Sequence, residues 1–321
     1  MSRLILRALS LAMLITSLPL SNALAHCIVG GRFFPAMLAT DDPCVADEMS
    51  FPTVQYNSAN PAGRENDIEA DFSKRITENF GITVASTWTW VSPPANAGTA
   101  GPIGYGFQNL VTTPQFQLWK NAQHEVALLA GVIFSWGNSG AAGVGAFPWS
   151  TITPTFYFGK GWGDLPDSAG FLRAFAVTGQ VGYEIPTTSF DLVSGNFIPQ
   201  NLVWGNSLQF SMPYLKSNVI DLGLPDFINH LIPIVEAQFA APVANNFGNP
   251  SVTIGTVNPG VIWVGSYYQV GVEAIVPINR SSGTVVGAMA QLHLYLDDIF
   301  PNTIGQPLLG TSTPMQSMAR R

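Results

Sequence analysis

The stretch 67–90 constrains this chain most. Ile68, Ala70, Phe72 and Ile76 alternate with Asp67, Glu69, Asp71, Ser73 and Arg75. After a short turn at Thr77, Glu78 and Asn79, Phe80, Ile82, Val84, Trp88 and Trp90 alternate with Gly81, Thr83, Ala85, Thr87 and Thr89. A period of two puts the two sets on opposite faces of a strand, so the stretch is a hairpin with one apolar and one polar side. Such a hairpin suits a soluble sandwich, where the apolar face meets a second sheet. It equally suits a membrane barrel, where that face meets lipid and the polar face lines a lumen.

Charge separates these two. Only 10% of the chain is charged, against about 25% in ordinary soluble domains. No charged residue occurs between Asn79 and Trp119, or between Ala237 and Val272. Pro, Gly, Asn and Gln interrupt both stretches, and runs such as 127–134 fall far short of the roughly 20 apolar residues of a spanning helix. A chain of this composition crosses a membrane only as a closed barrel. Residues 1–25 carry Arg3 and Arg7, an apolar run and Ala23-Leu24-Ala25, the pattern of a secretory signal peptide. Its removal leaves about 296 residues with 11 basic and 20 acidic side chains, a net charge of −9. Nucleic acid is a poor partner for such a surface.

Read in order, residues 26–49 lack alternation and form an irregular segment holding both cysteines, Cys27 and Cys44. In an exported chain these pair as a disulfide. The competing reading, a lipid on Cys27, is disfavoured because His26 rather than a small residue precedes it. Residues 50–297 then divide into twelve strands: 51–56, 67–76, 80–90, 107–119, 126–136, 147–158, 171–184, 202–214, 231–239, 255–264, 267–278 and 284–297. The expected fold is an all-β, antiparallel, up-and-down transmembrane barrel of about twelve strands, followed by a tail at 298–321. Connections after odd-numbered strands (57–64, 92–106, 137–146, 186–200, 241–253, 279–283) are mostly long. Three of the five others (77–79, 120–124, 159–170, 216–229, 265–266) are tight, which is the parity of bacterial outer-membrane barrels. Trp88, Trp90, Trp119, Trp136, Phe158, Trp204 and Tyr214 fall at or near strand ends, where interface girdles sit. Pro114, Pro154, Pro233 and Pro259 lie inside strands, which requires bulges or shifted boundaries. Phe300 is a displaced candidate for the aromatic residue that ends many such barrels.

Arg64-Glu65 followed by DIEADFSKRITENFGITV resembles the first hairpin of the outer-membrane barrels named for the meta-pathway of phenol degradation. The resemblance lies in the acidic-apolar alternation, the Thr-led turn and the Phe-Gly-Ile-Thr-Val return strand. It implies a channel or transporter for hydrophobic or aromatic compounds and supplies no motif-defined functional residues.

Catalytic and metal chemistry find little purchase in this pattern. His124 and His230 fall at inner turns, His26 in the irregular segment and His293 near the inner end of a strand, so no histidine adjoins an outer loop as a barrel esterase would need. No His or Cys cluster has ligand spacing, and the Gly140 to Gly145 run lacks the setting of a phosphate loop. No enzyme activity, metal or cofactor is expected. The polar face does carry a pattern. Asp67, Glu69, Asp71, Glu125, Glu184, Glu236 and Glu273 share it with Gln115, Gln117, Gln180, Gln209 and Gln238, and few basic residues join them. These are the expected lumen-lining residues, and they favour cations or polar neutral solutes over anions. A twelve-stranded barrel is also narrow enough for its interior to be plugged, with the disulfide-pinned segment a candidate plug. The expectation is a passive channel or transporter in the outer membrane of a Gram-negative bacterium, in contact with lipid and a small solute. The alternative is a non-conducting surface barrel whose outer loops bind or adhere.

Overall fold

The computed structural model describes residues 27–57, 64–92, 104–192, 195–248 and 251–309. The signal-peptide reading of 1–25, His26, the centres of the first two outer loops and the end of the tail from 310 lie outside them. The protein is an antiparallel up-and-down transmembrane β-barrel of twelve strands: β1 (Glu48–Asn57), β2 (Arg64–Arg75), β3 (Phe80–Ser92), β4 (Val111–Asn121), β5 (Val126–Ser135), β6 (Thr151–Gly161), β7 (Phe175–Pro186), β8 (Gln200–Phe210), β9 (Leu231–Ala244), β10 (Ile254–Val264), β11 (Tyr268–Pro277) and β12 (Gly287–Tyr295). Each strand pairs with its sequence neighbour, and β12 closes on β1 through pairs such as Ala290 with Val54. Closure leaves the cylinder without an unpaired sheet edge, the condition for a sheet in lipid. A short strand at Gly104–Phe107 extends the ladder along the end of β3, beyond where β4 begins.

The hairpin of β2 and β3 shows how the alternation is used. Ile68, Phe72, Val84, Trp88 and Trp90 are exposed on the outside, while Thr89 is fully buried on the inside and bonds to Asp67. The same inversion runs round the barrel. Val181, Val235, Val270 and Val272 are exposed, whereas Thr178, Ser207, Gln209, Glu236 and Gln269 are at most 1% exposed. An apolar exterior around a polar interior reverses the soluble arrangement and suits a lipid surround.

The connections sort by end as the sequence indicates. The end where β1 begins carries 76–79, 122–125, 162–174, 211–230 and 265–267, and the other carries the remaining loops. Several boundaries move. Residues 147–150 belong to a loop rather than to the sixth strand, and 167–174 form 3-10 turns before β7. The strand expected to reach 214 ends at Phe210, and helical turns follow at Met212–Tyr214 and Leu215–Val219. Tyr214 therefore leaves the expected girdle and is buried with its ring under the Arg32 guanidinium. Trp90, Trp119 and Trp136 do sit about half exposed at strand ends.

Each interior proline coincides with a break in one ladder. Pro114 pairs with Ile82, but pairing of β4 with β5 is interrupted between Thr112–Phe134 and Gln115–Gly131. Pro154 pairs with Val132, and the β6–β7 ladder skips from Thr155–Gly182 to Ile152–Ile185. Pro259 pairs with Val235 and falls in a gap between Val257–Val276 and Gly260–Glu273. Pro233 pairs with Val261 just past the last β8–β9 pair, Gln209 with Ile234. The missing N–H is placed where no partner is in register, so the strands run through these prolines. The tail does not extend β12. After a helical turn at Leu296–Ile299 it folds back on the β2–β3 turn, where Lys74 donates to the carbonyls of Ile304 and Gln306. Phe300 is exposed in that tail.

Candidate functional site: the barrel interior and its inserted segment

Residues 27–47 enter the barrel as a plug. The Cys27–Cys44 disulfide ties its two ends, with Cα atoms 5.3 Å apart. Apolar plug side chains seat in matching patches of the inner wall. Met37 and Leu38 pack on Ile232, Ile234, Ile262, Ile275 and Met289 of β9–β12. The disulfide and Phe34 pack on Ala127 and Ala176, and Val45 packs on Leu129 and Tyr157. Glycines make room for it, as at Gly159, where a Cβ would lie 2.6 Å from Pro43 Cγ.

Beyond a two-residue hairpin that pairs Ile28–Val29 with Arg32–Phe33, the plug backbone has no ladder, so wall side chains satisfy it. Glu236 is the principal anchor. Its Oε1 accepts from Leu38 N at 2.8 Å, and its Oε2 accepts from Thr40 N and Thr40 Oγ1, both at 2.7 Å. Ala39 N lies 3.2 and 3.3 Å from the two oxygens. Gln117 donates to Pro43 O and accepts from Val45 N, Gln115 donates to Asp41 Oδ2, Gln180 accepts from Asp41 N, and Gln269 donates to Ala36 O. At the inner end Arg32 donates to Glu125 Oε2 at 3.1 Å and to the carbonyls of Arg173 and Ala174. Burial lowers the Arg32 pKa, and the Glu125 carboxylate opposes that. Burial also pushes the Asp41 carboxyl up to about 6, against the bond from Gln115.

The polar positions singled out in the sequence divide by what they touch. Gln115, Gln117, Gln180 and Glu236 hold the plug, and Gln209 packs its amide against Met37 Sδ and Ser207. Glu125 sits in the β4–β5 turn with φ of 49° and also accepts from Gly163 N. Asp67 and Glu69 accept from Thr89 and Thr87 on β3. Glu184 accepts from Asn201, Glu273 is buried on β11, and Gln238 joins Gln180 along a cleft toward the far end. Sequence reasoning missed Arg32 and Asp47, which lie in a segment without periodicity. It also missed Ile232 and Ile234. The unbroken apolar run 231–235 was a usable signal, since a strand apolar on both faces packs against something inside as well.

Around residues 36–42 the plug sits off-centre. Met37 and Leu38 seat on β9–β12, and between this part of the plug and the wall from β12 through β1 to β7 remains a cavity of about 250 Å³. Asp41, Asp42, Glu48, Glu69 and Asp71 line it, with Gln180, Gln291 and an apolar patch including Leu38, Ile133 and Tyr157. At its edge Ser50 Oγ lies 2.8 Å from His293 Nδ1, and His293 Nε2 lies 3.2 Å from Glu48 Oε2. The strand register creates this chain of contacts by placing His293 opposite Ser50 and Glu48 two residues away on the same face. Its three members are the Ser, His and acid that the sequence did not bring together.

These features define a transmembrane β-barrel with a disulfide-closed internal plug and an acidic internal cavity. No protein-family model matches the sequence, and neither does any curated protein. Among solved structures, the chain is similar to the KdgM porin, at 8% identity with a TM-score of 0.44, over 77% of this chain and 98% of that one. It is also similar to the NanC porin, at 6% identity with a TM-score of 0.46, over 76% and 98%. The translocator domain of the autotransporter NalP from Neisseria meningitidis is similar at 10% identity with a TM-score of 0.39, over 78% and 88%.

Proposed function

We propose that the protein is an outer-membrane channel or transporter whose solute route follows the acidic wall of β1–β3 beside the plug. The observation that carries this reading is the eccentric course of residues 36–42: they seat on β9–β12 and leave a polar cavity between the plug and the opposite wall of a lipid-facing barrel. Glu69, Asp71 and Gln180 line that cavity. The resemblance of the first hairpin to the phenol meta-pathway barrels adds hydrophobic or aromatic compounds as candidate solutes. Conductance of the purified mature protein in planar bilayers is the test. Openings with a reversal potential of cation-selective sign support the reading, and absence of both openings and solute uptake into proteoliposomes refutes it.

One observation favours the alternative, a closed surface barrel. Glu236 ties three consecutive plug amides to the wall, which stabilises a docked plug. A variant lacking residues 28–43 separates the two. It conducts more than the full chain if the plug gates a route, and stays silent if the barrel is a closed scaffold.

A further inference from the structure

At the outer end, β5–β8 and two of their loops enclose a second hollow of about 380 Å³, which shares no lining residue with the cavity beside the plug. Small-molecule sites span about 300–1,000 Å³ and form readily in the mouths of barrels. Strand register builds the floor. Ser135 stands opposite Thr151, Thr151 opposite Pro186 and Glu184 opposite Asn201, all on the lumen side that buries Thr153, Thr178 and Ser207. Asn201 Nδ2 donates to Glu184 Oε1 at 2.7 Å. The loops supply the rest. Phe147 and Trp149 stack with ring centroids 4.8 Å apart and planes inclined by 18°. Asn196 and Phe197 come from a small hairpin with Phe190 and Asp191, and the Phe197 ring is edge-on to Phe190 and Phe247. Both loops are pinned. Asn109 and Asn138 donate to the carbonyls of Phe147 and Pro148 at 2.9 and 2.7 Å, and Asn245 donates to those of Ser189 and Ile198 at 2.6 and 2.8 Å. Rings and polar groups fixed in advance lose little ordering entropy on binding. The stacked pair also differs from an interface girdle, because it borders lumen-side polar groups.

We propose that this mouth binds an uncharged, hydroxyl-rich ring, a sugar residue, and acts as a capture site at the outer surface. The site goes beyond the channel reading, since it needs an outward mouth but no open route. Its lining joins broad apolar rings to two carboxylates, two amides and two hydroxyls, with no Lys or Arg. A ring whose C–H face covers Trp149 or Phe147 while its hydroxyls meet Glu184, Asn196 and Asn201 satisfies both halves of that lining. A purely apolar ring would strip water from the polar groups and return no hydrogen bond. An anion would meet Glu184 and Asp191 as like charges. A cation would answer the carboxylates but offer no acceptor to the amide and hydroxyl donors of Asn196, Ser135 and Thr151.

The methyl glycosides of glucose, galactose and mannose test this, titrated into the full mature protein in a detergent without sugar head groups. Tryptophan fluorescence and calorimetry are the readouts, with glucuronate, cyclohexanol and cyclohexylammonium as comparison probes. The expected result is saturable binding of at least one glycoside, at least about tenfold tighter than cyclohexanol, the scale of one or two net hydrogen bonds. Glucuronate should be the weakest of the sugars. Trp149→Ala should weaken the glycoside severalfold, and Trp149→Phe should keep most of its binding. Glu184→Gln removes one of the two carboxylates and should narrow the gap between glucuronate and the glycosides. Trp136→Phe, just past β5 and stacked on Phe134 of the outward face, should change neither. Heat-shifted gel mobility verifies that each variant is folded. Binding of none of the three glycosides overturns the proposal. A preference for cyclohexylammonium, or cyclohexanol binding as tightly as the glycoside, overturns it too. Bilayer conductance is read separately. Glycoside binding to a silent barrel removes the route and keeps the site, whereas conductance without such binding keeps the channel and removes the site.

Discussion

Glu236→Gln should release the plug while leaving the barrel closed. The side chain is fully buried, and its two oxygens serve Leu38 N at 2.8 Å and Thr40 N and Oγ1 at 2.7 Å. In the amide, one oxygen becomes an NH2 group that can only donate. The least costly orientation keeps the oxygen on Thr40 and turns the NH2 toward Leu38 N, donor against donor. Losing one charge-assisted bond is worth about 1.5–3 kcal/mol, and a stranded buried donor costs a further 1–3 kcal/mol or so. A net loss of about 3 kcal/mol raises the undocked fraction on the order of a hundredfold. Hydrogen exchange at the amides of residues 38–40, read by mass spectrometry in detergent, should accelerate by that order. Exchange in β9 and β10 should stay slow. Unchanged exchange at 38–40 in a folded Glu236→Gln barrel would refute Glu236 as the anchor.

Other perturbations act on neighbouring parts of the same arrangement. Cys44→Ser opens a loop of sequence separation 17 and should cost plug order about 3 kcal/mol, seen as faster protease cleavage within 27–47 of an otherwise intact barrel. Gly159→Ala places a Cβ 2.6 Å from Pro43 Cγ and 3.2 Å from the Phe34 ring. Neither rigid ring yields easily, so about 1–3 kcal/mol of overpacking should raise exchange of the plug but not of β6, and a wild-type exchange pattern would contradict the seat described. Val181→Arg puts a charge on the exposed face midway along β7. In lipid vesicles it should lower unfolding free energy by about 2–4 kcal/mol, and a loss below about 0.5 kcal/mol would mean that this face does not meet hydrocarbon.

How legible this was in the sequence depends on the kind of force at work. Strand number, face and closure come from local alternation, so the β2–β3 hairpin announces its lipid and lumen sides residue by residue. The disulfide was legible because two cysteines in an exported chain have few choices. The plug was legible only as a candidate, since 27–47 has no period and its contacts with β4, β7, β9 and β11 span separations from about 70 to more than 230 residues. Which glutamines anchor it and which stand free is a three-dimensional fact that no spacing encodes. The prolines were legible as a conflict but not as its resolution, because a broken step in one ladder depends on the register of the neighbour. The Ser50, His293 and Glu48 chain was invisible for the same reason. It exists through the β12–β1 closure, which joins the two ends of the barrel sequence.

The off-centre position of residues 36–42 follows from charge as well as packing. Between Cys27 and Asp47 the segment carries one basic residue, Arg32, and three acidic ones, Asp41, Asp42 and Asp47. Arg32 and Asp47 are both used at the inner end, the first on Glu125 and the second on Lys74 and Arg75. That leaves Asp41 and Asp42 at the tip of the plug, opposite Glu48, Glu69 and Asp71. Like charges across a low-dielectric gap repel, while Met37 and Leu38 gain by burial against Ile232, Ile234 and Ile262 on the other wall. The two effects push the plug in the same direction. The gap is therefore built into the charge pattern of the segment and is not a packing fault. A cation entering it would draw the two acidic walls together, so occupancy should tighten the plug on its open side. Solute binding should accordingly slow exchange at the amides of Asp41 and Asp42, and leave those held by Glu236 unchanged.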